Sequence, residues 1–251
     1  MLAYGFRGME SLVSFFSLDL LSSHIFYLYQ YLLIYIFVYL FFLITSGNGT
    51  TSAVELLLDC LGLHHVATSQ DQADRPVIFV GPFEHHSNLL PWRELPNVDI
   101  VMVPEHPVTH NVDIEALDRL LTAYSNRWFK LGTFTVASNV TGTVLTDEQQ
   151  HQLVATLHKH DALACLDYAT GAPYLSINMN PIHPNYTPEQ IAKDIIVYSG
   201  HKLLGGIGTP GVLIIKKHLI NTLNPPKRSG GGTVFYVTSQ HHRFLSNEIV
   251  M

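Results

Sequence analysis

The chain has 251 residues, enough for one large domain or two small ones. Apolar residues make up 47% of it, so a sizeable core can form, and the charged fraction of 14% is low for a soluble domain. A net charge of −6 without a Lys/Arg stripe argues against a nucleic-acid partner. Cys60 and Cys165 provide no disulfide framework, which favours a reducing compartment such as the cytoplasm over secretion.

The apolar residues concentrate near the amino terminus, in a segment covering residues 1–45. Residues 20–54 contain no Asp, Glu, Lys or Arg, and residues 25–44 are almost wholly aromatic and aliphatic. A helix of that length spans about 30 Å, the thickness of a membrane's hydrocarbon layer. Composition therefore predicts a transmembrane helix, membrane contact and anchoring through residues 25–44. The alternative is aberrant coding sequence such as a retained intron, because the texture is typical of translated AT-rich noncoding sequence.

Residues 46–224 form the second segment, in which strands and helices alternate. The pattern predicts strands at 76–80, 98–103, 133–137, 162–166, 195–198 and 212–215, and helices at 51–61, 113–123 and after a capping box formed by Thr146 and Gln149. Such alternation favours an α/β domain with a mostly parallel sheet and helices on both faces. Ligands then bind outside the carboxyl ends of the strands. Pro225 and Pro226 begin a third segment, residues 225–251.

Two candidate sites precede residue 90. Gly49, Thr50 and Thr51 open a helix, where backbone N–H groups and a hydroxyl can bind a phosphate, although Thr50 acting only as a helix cap is an equal alternative. His85 and His86 follow the strand 76–80, and a histidine there can stack on a planar cofactor or act as an acid or base. The alternative is that His85 and His86 are ordinary loop residues without a functional role. None of the 15 histidines shows a recognisable metal spacing, so no metal site is predicted.

Three further polar residues follow predicted strands. Asn139 could donate a hydrogen bond to a phenolate or carboxylate oxygen. Asp167 is either a helix cap or a functional anion. Lys202, next to Ser199 and His201, is a plausible imine-forming amine, although alone it would be taken for a surface lysine.

Taken together, these residues resemble the class V aminotransferase family, which includes cysteine desulfurases and selenocysteine lyases. The resemblance runs from about residue 47 to about residue 244. Its motifs are Gly-Thr-Thr (49–51), Glu-His-His-Ser-Asn-Leu-Leu-Pro-Trp (84–92), Ser-Asn-Val-Thr-Gly (138–142), Leu-Asp-Tyr-Ala (166–169), Ser-Gly-His-Lys (199–202), the glycine-rich turn at 205–211 and Gly-Gly-Gly-Thr-Val (230–234). It implies the large domain of a fold-type I enzyme that depends on pyridoxal phosphate (PLP), incomplete at both ends.

The resemblance also implies a role for each matching residue. Lys202 would carry PLP as a Schiff base, Asp167 would pair with the pyridine nitrogen, and His86 would stack on the ring as a second catalytic residue. Asn139 would contact the cofactor phenolate or the substrate carboxylate. The remaining cofactor-binding residues would hold the phosphate, within one subunit or from its neighbour in a homodimer: Thr50, Thr51, Ser199, His201, Gly232 and Thr233.

The implied function is PLP chemistry at the α-carbon of an amino acid, as in a transaminase, a lyase or a desulfurase. The sequence departs from the family at Thr170, where a Gln is frequent, and at the carboxyl terminus, where a domain with a substrate-binding Arg would follow. A strand should also lead into the loop 47–51, and residues 40–45 cannot be both strand and membrane helix. Two alternatives therefore stay open: a catalytically incomplete remnant of the family, and a single-pass membrane protein with a non-catalytic binding domain.

Overall fold

A seven-stranded sheet organises the chain. The computed structural model describes residues 41–66, 71, 74–220, 230 and 233–244, of which residues 41–46 are described by their backbone. The strands of this sheet are β1 (Phe41–Ser46), β2 (Val77–Val80), β3 (Asp99–Met102), β4 (Lys130–Thr135), β5 (Leu163–Asp167), β6 (Ile195–Ser199) and β7 (Gly211–Lys216). A separate two-stranded hairpin consists of β8 (Val234–Val237) and β9 (His242–Phe244).

The strand order is β1-β7-β6-β5-β4-β2-β3. Strands β2 to β6 are parallel to their neighbours among themselves, whereas β7 is antiparallel to both β6 and β1. The carboxyl ends of β1 to β6 therefore meet at one edge of the sheet, where β7 begins. The predicted mostly parallel sheet and the turn between β6 and β7 are confirmed.

Helices connect the strands: α1 (Gly49–Leu61), α2 (Leu90–Arg93), α3 (Ile114–Ala123), α4 (Asp147–Lys159) and α5 (Pro188–Ile191). Their beginnings follow the local sequence. The Asp113 carboxylate accepts a hydrogen bond from the Ala116 N–H at 2.8 Å at the start of α3. Thr146 and Gln149 form the predicted capping box, with hydrogen bonds of 3.3 and 2.9 Å. Because such caps satisfy N–H groups that have no partner in the helix, they fix where it begins.

Apolar side chains pack on both faces of the sheet. Along β2, Val77 and Phe79 join the cluster under α3 and α4, while Ile78 and Val80 join the cluster under α1. Successive side chains of a strand point to opposite faces, so a run that is apolar at every position requires cover on both. Burial of one such side chain contributes about 1.5–3 kcal/mol. The predicted helices on both faces are confirmed.

The amino-terminal prediction needs correction where it overlaps β1. Residues 41–44 pair with β7 in a regular antiparallel register, so they belong to the sheet and not to a helix covering residues 25–44. Residues 25–40 lie outside the described part of the chain. No helix among the described residues has the length and apolar character required to cross a bilayer.

One predicted strand is displaced. The strand predicted at 133–137 begins at Lys130 and ends at Thr135. The added part of the strand includes the buried Lys130, whose ammonium donates a hydrogen bond to the Arg127 carbonyl at 3.1 Å. This contact compensates for burial of the charge. The predicted boundary near residue 225 lies outside the described residues.

Candidate active site at the carboxyl edge of the sheet

The fold brings the loops after β1, β5 and β6 to one edge of the sheet. Gly211, the first residue of β7, is paired with Ser46 at the end of β1 and with Ser199 at the end of β6. A Cβ at Gly211 would lie 1.8 Å from the carbonyl oxygen of Gly49. Only glycine allows this approach, which holds the amino terminus of α1 against the end of β6.

The amino terminus of α1 and the end of β6 form a small polar corner. The buried Thr50 donates its backbone N–H to the Ser199 hydroxyl at 3.0 Å, and the two hydroxyls lie 2.8 Å apart. A Cβ at Gly49, where φ is +62°, would lie 2.7 Å from the His201 ring and 3.0 Å from the Ser199 hydroxyl. A helix amino terminus with converging N–H and O–H groups favours an anion such as a phosphate.

Asp167 ends β5 in the interior of the site. It is 1% exposed, and its carboxylate accepts a hydrogen bond from the Ala169 N–H at 2.7 Å. Burial raises the pKa of Asp167 to about 6, although this hydrogen bond and the charge of Lys202 act in the opposite direction. The carboxylate is therefore suited to a cationic partner, which would lower that pKa again.

Lys202 lies in the short 3-10 helix Gly200–Lys202 that follows β6, where its side chain is exposed. Its ammonium donates a hydrogen bond to the Thr170 hydroxyl at 3.3 Å. Thr170, noted in the sequence for its difference from the family, is thus the residue that contacts the lysine. Because Lys202 also lowers the pKa of Asp167, the amine and the buried carboxylate share one electrostatic environment.

Of the two adjacent histidines, His85 is the one influenced by the charge of Lys202. Burial lowers the pKa of His85, and the charges of Lys202 and His86 lower it further. Its Nδ1 accepts a hydrogen bond from the Ser87 N–H at 3.1 Å. His86 is exposed, with its ring centroid 5.8 Å from that of His85. The sequence analysis assigned the ring-stacking role to His86, but the irregular loop has no periodicity that distinguishes His86 from its neighbour His85.

A buried hydrogen-bonded network beneath this loop was not predicted. The Glu84 carboxyl accepts hydrogen bonds from the Thr135 N–H at 2.8 Å and from the Asn88 amide at 2.6 Å. The Asn88 carbonyl oxygen in turn accepts a hydrogen bond from the Thr133 hydroxyl at 2.8 Å. Burial raises the pKa of Glu84 to about 8. The network joins the loop that carries His85 and His86, here called the histidine loop, to β4. The Thr51 and Ser87 hydroxyls, 2.7 Å apart, join the same loop to α1.

For the other predicted residues, no described contact joins them to this cluster. Asn139 is exposed in the turn that follows β4. The Thr233 hydroxyl donates to the Gly230 carbonyl at 2.8 Å, a contact local to its own loop. Gly232 lies outside the described residues. The structure therefore brings together Thr50, Asp167, Ser199, His201 and Lys202, with Thr51 at the edge.

Comparison with known proteins gives this arrangement a family. The sequence profile described as "Aminotransferase class-V" matches residues 44–249. A probable cysteine desulfurase from Halalkalibacterium halodurans is 25% identical over 185 residues, which cover 73% of this chain and 40% of the relative. Probable cysteine desulfurase 1 from Mycobacterium leprae is 28% identical over 193 residues, which cover 76% of this chain and 28% of the relative. The chain thus spans well under half the length of these curated relatives.

Solved structures show the same fold. The cysteine desulfurase CsdA from Escherichia coli superposes with a TM-score of 0.61 at 21% identity, covering 97% of this chain and 58% of that one. A NifS-like protein from Rickettsia africae superposes with a TM-score of 0.56 at 22% identity, covering 77% of this chain and 45% of that one. The predicted fold-type I architecture is confirmed. The family and its cysteine desulfurase members depend on PLP, as predicted. This chain belongs to the class V aminotransferase family.

Proposed function

We propose that this chain binds PLP through Lys202 and acts on an amino acid at its α-carbon. The observation that carries the proposal is the convergence of three groups at one sheet edge: the Lys202 amine, the buried Asp167 carboxylate and the Thr50–Ser199 corner. These groups come from the ends of three strands, β1, β5 and β6, so their convergence is a property of the fold.

The residues present fit this cofactor. The Asp167 carboxylate is buried, and no ion pair with it occurs among the described residues, although the charge of Lys202 lowers its pKa. Such a carboxylate suits a protonated pyridine nitrogen. The backbone of Gly49 lies so close to the His201 ring and the Ser199 hydroxyl that a Cβ would not fit, and these groups therefore stand directly at the amino terminus of α1. Polar groups gathered at a helix amino terminus suit a phosphate group.

The side chains of this chain would supply positioning and proton transfer. When bound, PLP supplies an electron sink for the charge that develops at the substrate α-carbon. Asp167 would hold the pyridine nitrogen in its protonated form, and the Lys202 Nζ would take a proton from the substrate α-carbon. The Thr170 hydroxyl, 3.3 Å from that Nζ, orients it. His85 would cover the ring: the Ser87 N–H orients its Nδ1 at 3.1 Å, and the charge of Lys202 acts on its imidazole.

The test is covalent trapping. Purified chain is incubated with PLP, reduced with borohydride and digested, and the adduct is located by mass spectrometry. We expect one PLP per chain, attached at Lys202, and no adduct in Lys202→Ala. Lys159→Ala is the matched control, because Lys159 is an exposed lysine on α4 that pairs with Asp118 at 2.8 Å, away from the strand ends.

Adduct spread over surface lysines, or retained in Lys202→Ala, would contradict the proposal. Turnover is measured on the same sample, since trapping without turnover is the behaviour of a non-catalytic family member. Cysteine desulfurase activity is the first to assay, because the relatives reported above carry that name. Transamination and other lyase reactions are the alternatives.

A homodimer belongs to the same proposal. Thr233 precedes β8, whose Phe235 and Val237 side chains are each 65% exposed. Apolar side chains exposed side by side favour burial against another surface. A second copy of the chain would cover them and would bring residues 230–233 to the neighbouring phosphate corner.

A further inference from the structure

A second cluster of ligating side chains lies on α4, outside the candidate active site. Glu148 and His151 are three residues apart on one face of this helix, and the fold brings His183 from the segment between β5 and α5 against them. One ligand atom from each of the three residues lies within 4.8 Å of the others. We infer that Glu148, His151 and His183 form a binding site for a divalent transition metal, with zinc as the best match.

His151 provides the observation that points to a ligand. The residue is 8% exposed, and its Nδ1 is buried without a hydrogen-bond partner among the described residues. A buried ring nitrogen left without a partner is costly, so such atoms are rare in folded proteins. A metal ion would satisfy this buried ring nitrogen.

The other two ligands are already oriented. The His183 Nε2 lies 3.2 Å from the Glu148 Oε2, and Glu148 Oε1 accepts a hydrogen bond from the Gln152 amide at 3.3 Å. The His183 ring stands 5.3 Å from the His151 ring, centroid to centroid. Metal binding through Nε2 would shift the His183 proton to Nδ1, which releases an exposed 3.2 Å hydrogen bond from the Asn185 N–H.

The donor set selects the class of metal. Two imidazoles and one carboxylate are a common zinc set that leaves a fourth position for water, and a Glu-x-x-His spacing on a helix recurs in metal-binding bundles. Ligands bound at about 2.0–2.2 Å lie at most about 4 Å apart, so a pair of ligand atoms near the 4.8 Å limit would have to approach by up to about 1 Å. The exposed Glu148 side chain and the loop that carries His183 allow that movement.

The surrounding charges are mixed. Two acidic residues, Asp147 and Glu148, lie at the start of α4, and the opposing cation is the buried Lys193, whose ammonium donates a hydrogen bond to the Asn178 carbonyl at 2.9 Å. Burial raises the pKa of both thiols, at Cys60 and Cys165, so neither competes as a thiolate at neutral pH.

The site was missed in the sequence because only pairs of histidines were considered. Glu148 and His151 form a recognisable pair, but His183 lies 32 positions beyond His151 and reaches it only through the fold. A bound ion would join α4 to the segment that follows β5. The inference does not depend on PLP binding or on activity.

The experiment is a calorimetric titration of the full, untagged chain with zinc after chelator treatment. We expect one tight equivalent, and a rise in Tm of roughly 5 °C at a hundredfold excess over Kd, reversed by EDTA. Glu148 is exposed and His183 is half-buried, so Glu148→Gln and His183→Ala should both fold and should weaken zinc binding on the order of 100-fold.

His110→Ala is the matched control, because His110 and Glu105 form a similar pair at 2.6 Å without a third ligand in the described residues. It should bind zinc like the unaltered chain. Absence of a stoichiometric site, or equal weakening in all three variants, would overturn the inference. Cobalt gives a second readout, since its visible absorption should appear in the unaltered chain and not in His183→Ala.

Discussion

At the scale of single residues, two buried aspartates at the ends of the neighbouring strands β5 and β6, on opposite edges of the sheet, have opposite electrostatic roles. Asp194 precedes β6 and accepts hydrogen bonds from His158 at 2.8 Å, Lys216 at 2.7 Å and the Ala164 N–H at 2.9 Å, contacts that keep its pKa low. Asp167 has the single Ala169 N–H and a pKa raised to about 6. The Asp194 carboxylate therefore stabilises the fold, whereas ionisation of the Asp167 carboxyl destabilises it.

Asp167→Asn should therefore stabilise the chain without cofactor. The pKa of an aspartate in the unfolded chain is about 3.9, and in the folded chain the pKa of Asp167 is about 6. Ionisation of Asp167 therefore destabilises the fold: the destabilisation is absent below about pH 4, grows as pH rises, and is complete above about pH 6. Removing the charge at pH 7 should raise the free energy of unfolding by about 2 kcal/mol, since the amide oxygen can still accept from Ala169. Urea unfolding measures this.

Asp194→Asn is the comparison, and it should lower the free energy of unfolding by about 3 kcal/mol, because the Lys216 ammonium and the His158 ring lose their carboxylate partner. Asp167→Asn should also weaken PLP binding, measured by fluorescence titration. Loss of stability in both variants would show that Asp167 acts as an ordinary structural carboxylate.

At the scale of elements, α4 begins at a capping box that is local in sequence and independent of the site. Thr146→Ala removes the hydroxyl that accepts from the Gln149 N–H, and it should lower stability by about 1 kcal/mol, or roughly 3 °C in Tm. Thermal unfolding by circular dichroism measures the change. Thr156→Ala is the control on the same helix.

The Thr156 hydroxyl donates back to the Gln152 carbonyl at 2.8 Å from an exposed position, so its loss should leave Tm within about 1 °C. Equal losses in the two variants would mean that the box contributes no more than any threonine on α4. A larger loss in Thr156→Ala would contradict the assignment of the cap.

The same division between local and distant signals explains what the sequence could predict. The alternation of strands and helices depends on residues that are close in the sequence, so α4, its cap and the strand ends at Asp167 and Ser199 could be predicted. The start of β4 at Lys130 could not be predicted, because the Arg127 carbonyl becomes the hydrogen-bond partner of Lys130 only in the folded loop. The Glu84 network and the His183 contact join residues from separate elements, and neither spacing nor composition reports them.

At the scale of the whole molecule, several buried groups make stability depend on pH. Glu84 and Asp167 have pKa values raised to about 8 and about 6, so each contributes stability below about pH 4 that is lost as pH rises through its folded pKa. His85 and His151 have lowered pKa values and act in the opposite sense below about pH 6.5. Between pH 6.5 and 8, Glu84 is the carboxyl group among these four that still titrates.

Comparison with Glu84→Gln isolates this contribution. The glutamine keeps an oxygen for the Thr135 N–H, and its mismatch with the Asn88 amide adds an offset that does not vary with pH. From pH 5 to pH 8 the free energy of unfolding of the unaltered chain should fall by roughly 3 kcal/mol relative to this variant. Urea titrations at four pH values provide the slopes.

Glu115→Gln is the matched control, because Glu115 is exposed in the first turn of α3 and its replacement should leave the slope unchanged. The reason for the difference is the environment of each carboxyl: water solvates one anion, whereas buried protein surrounds the other. A Glu84→Gln slope parallel to that of the unaltered chain would mean that water reaches the Glu84 carboxyl in solution. The network that fastens the histidine loop to β4 would then be open to solvent, and the placement of His85 beside Lys202 would lose its support.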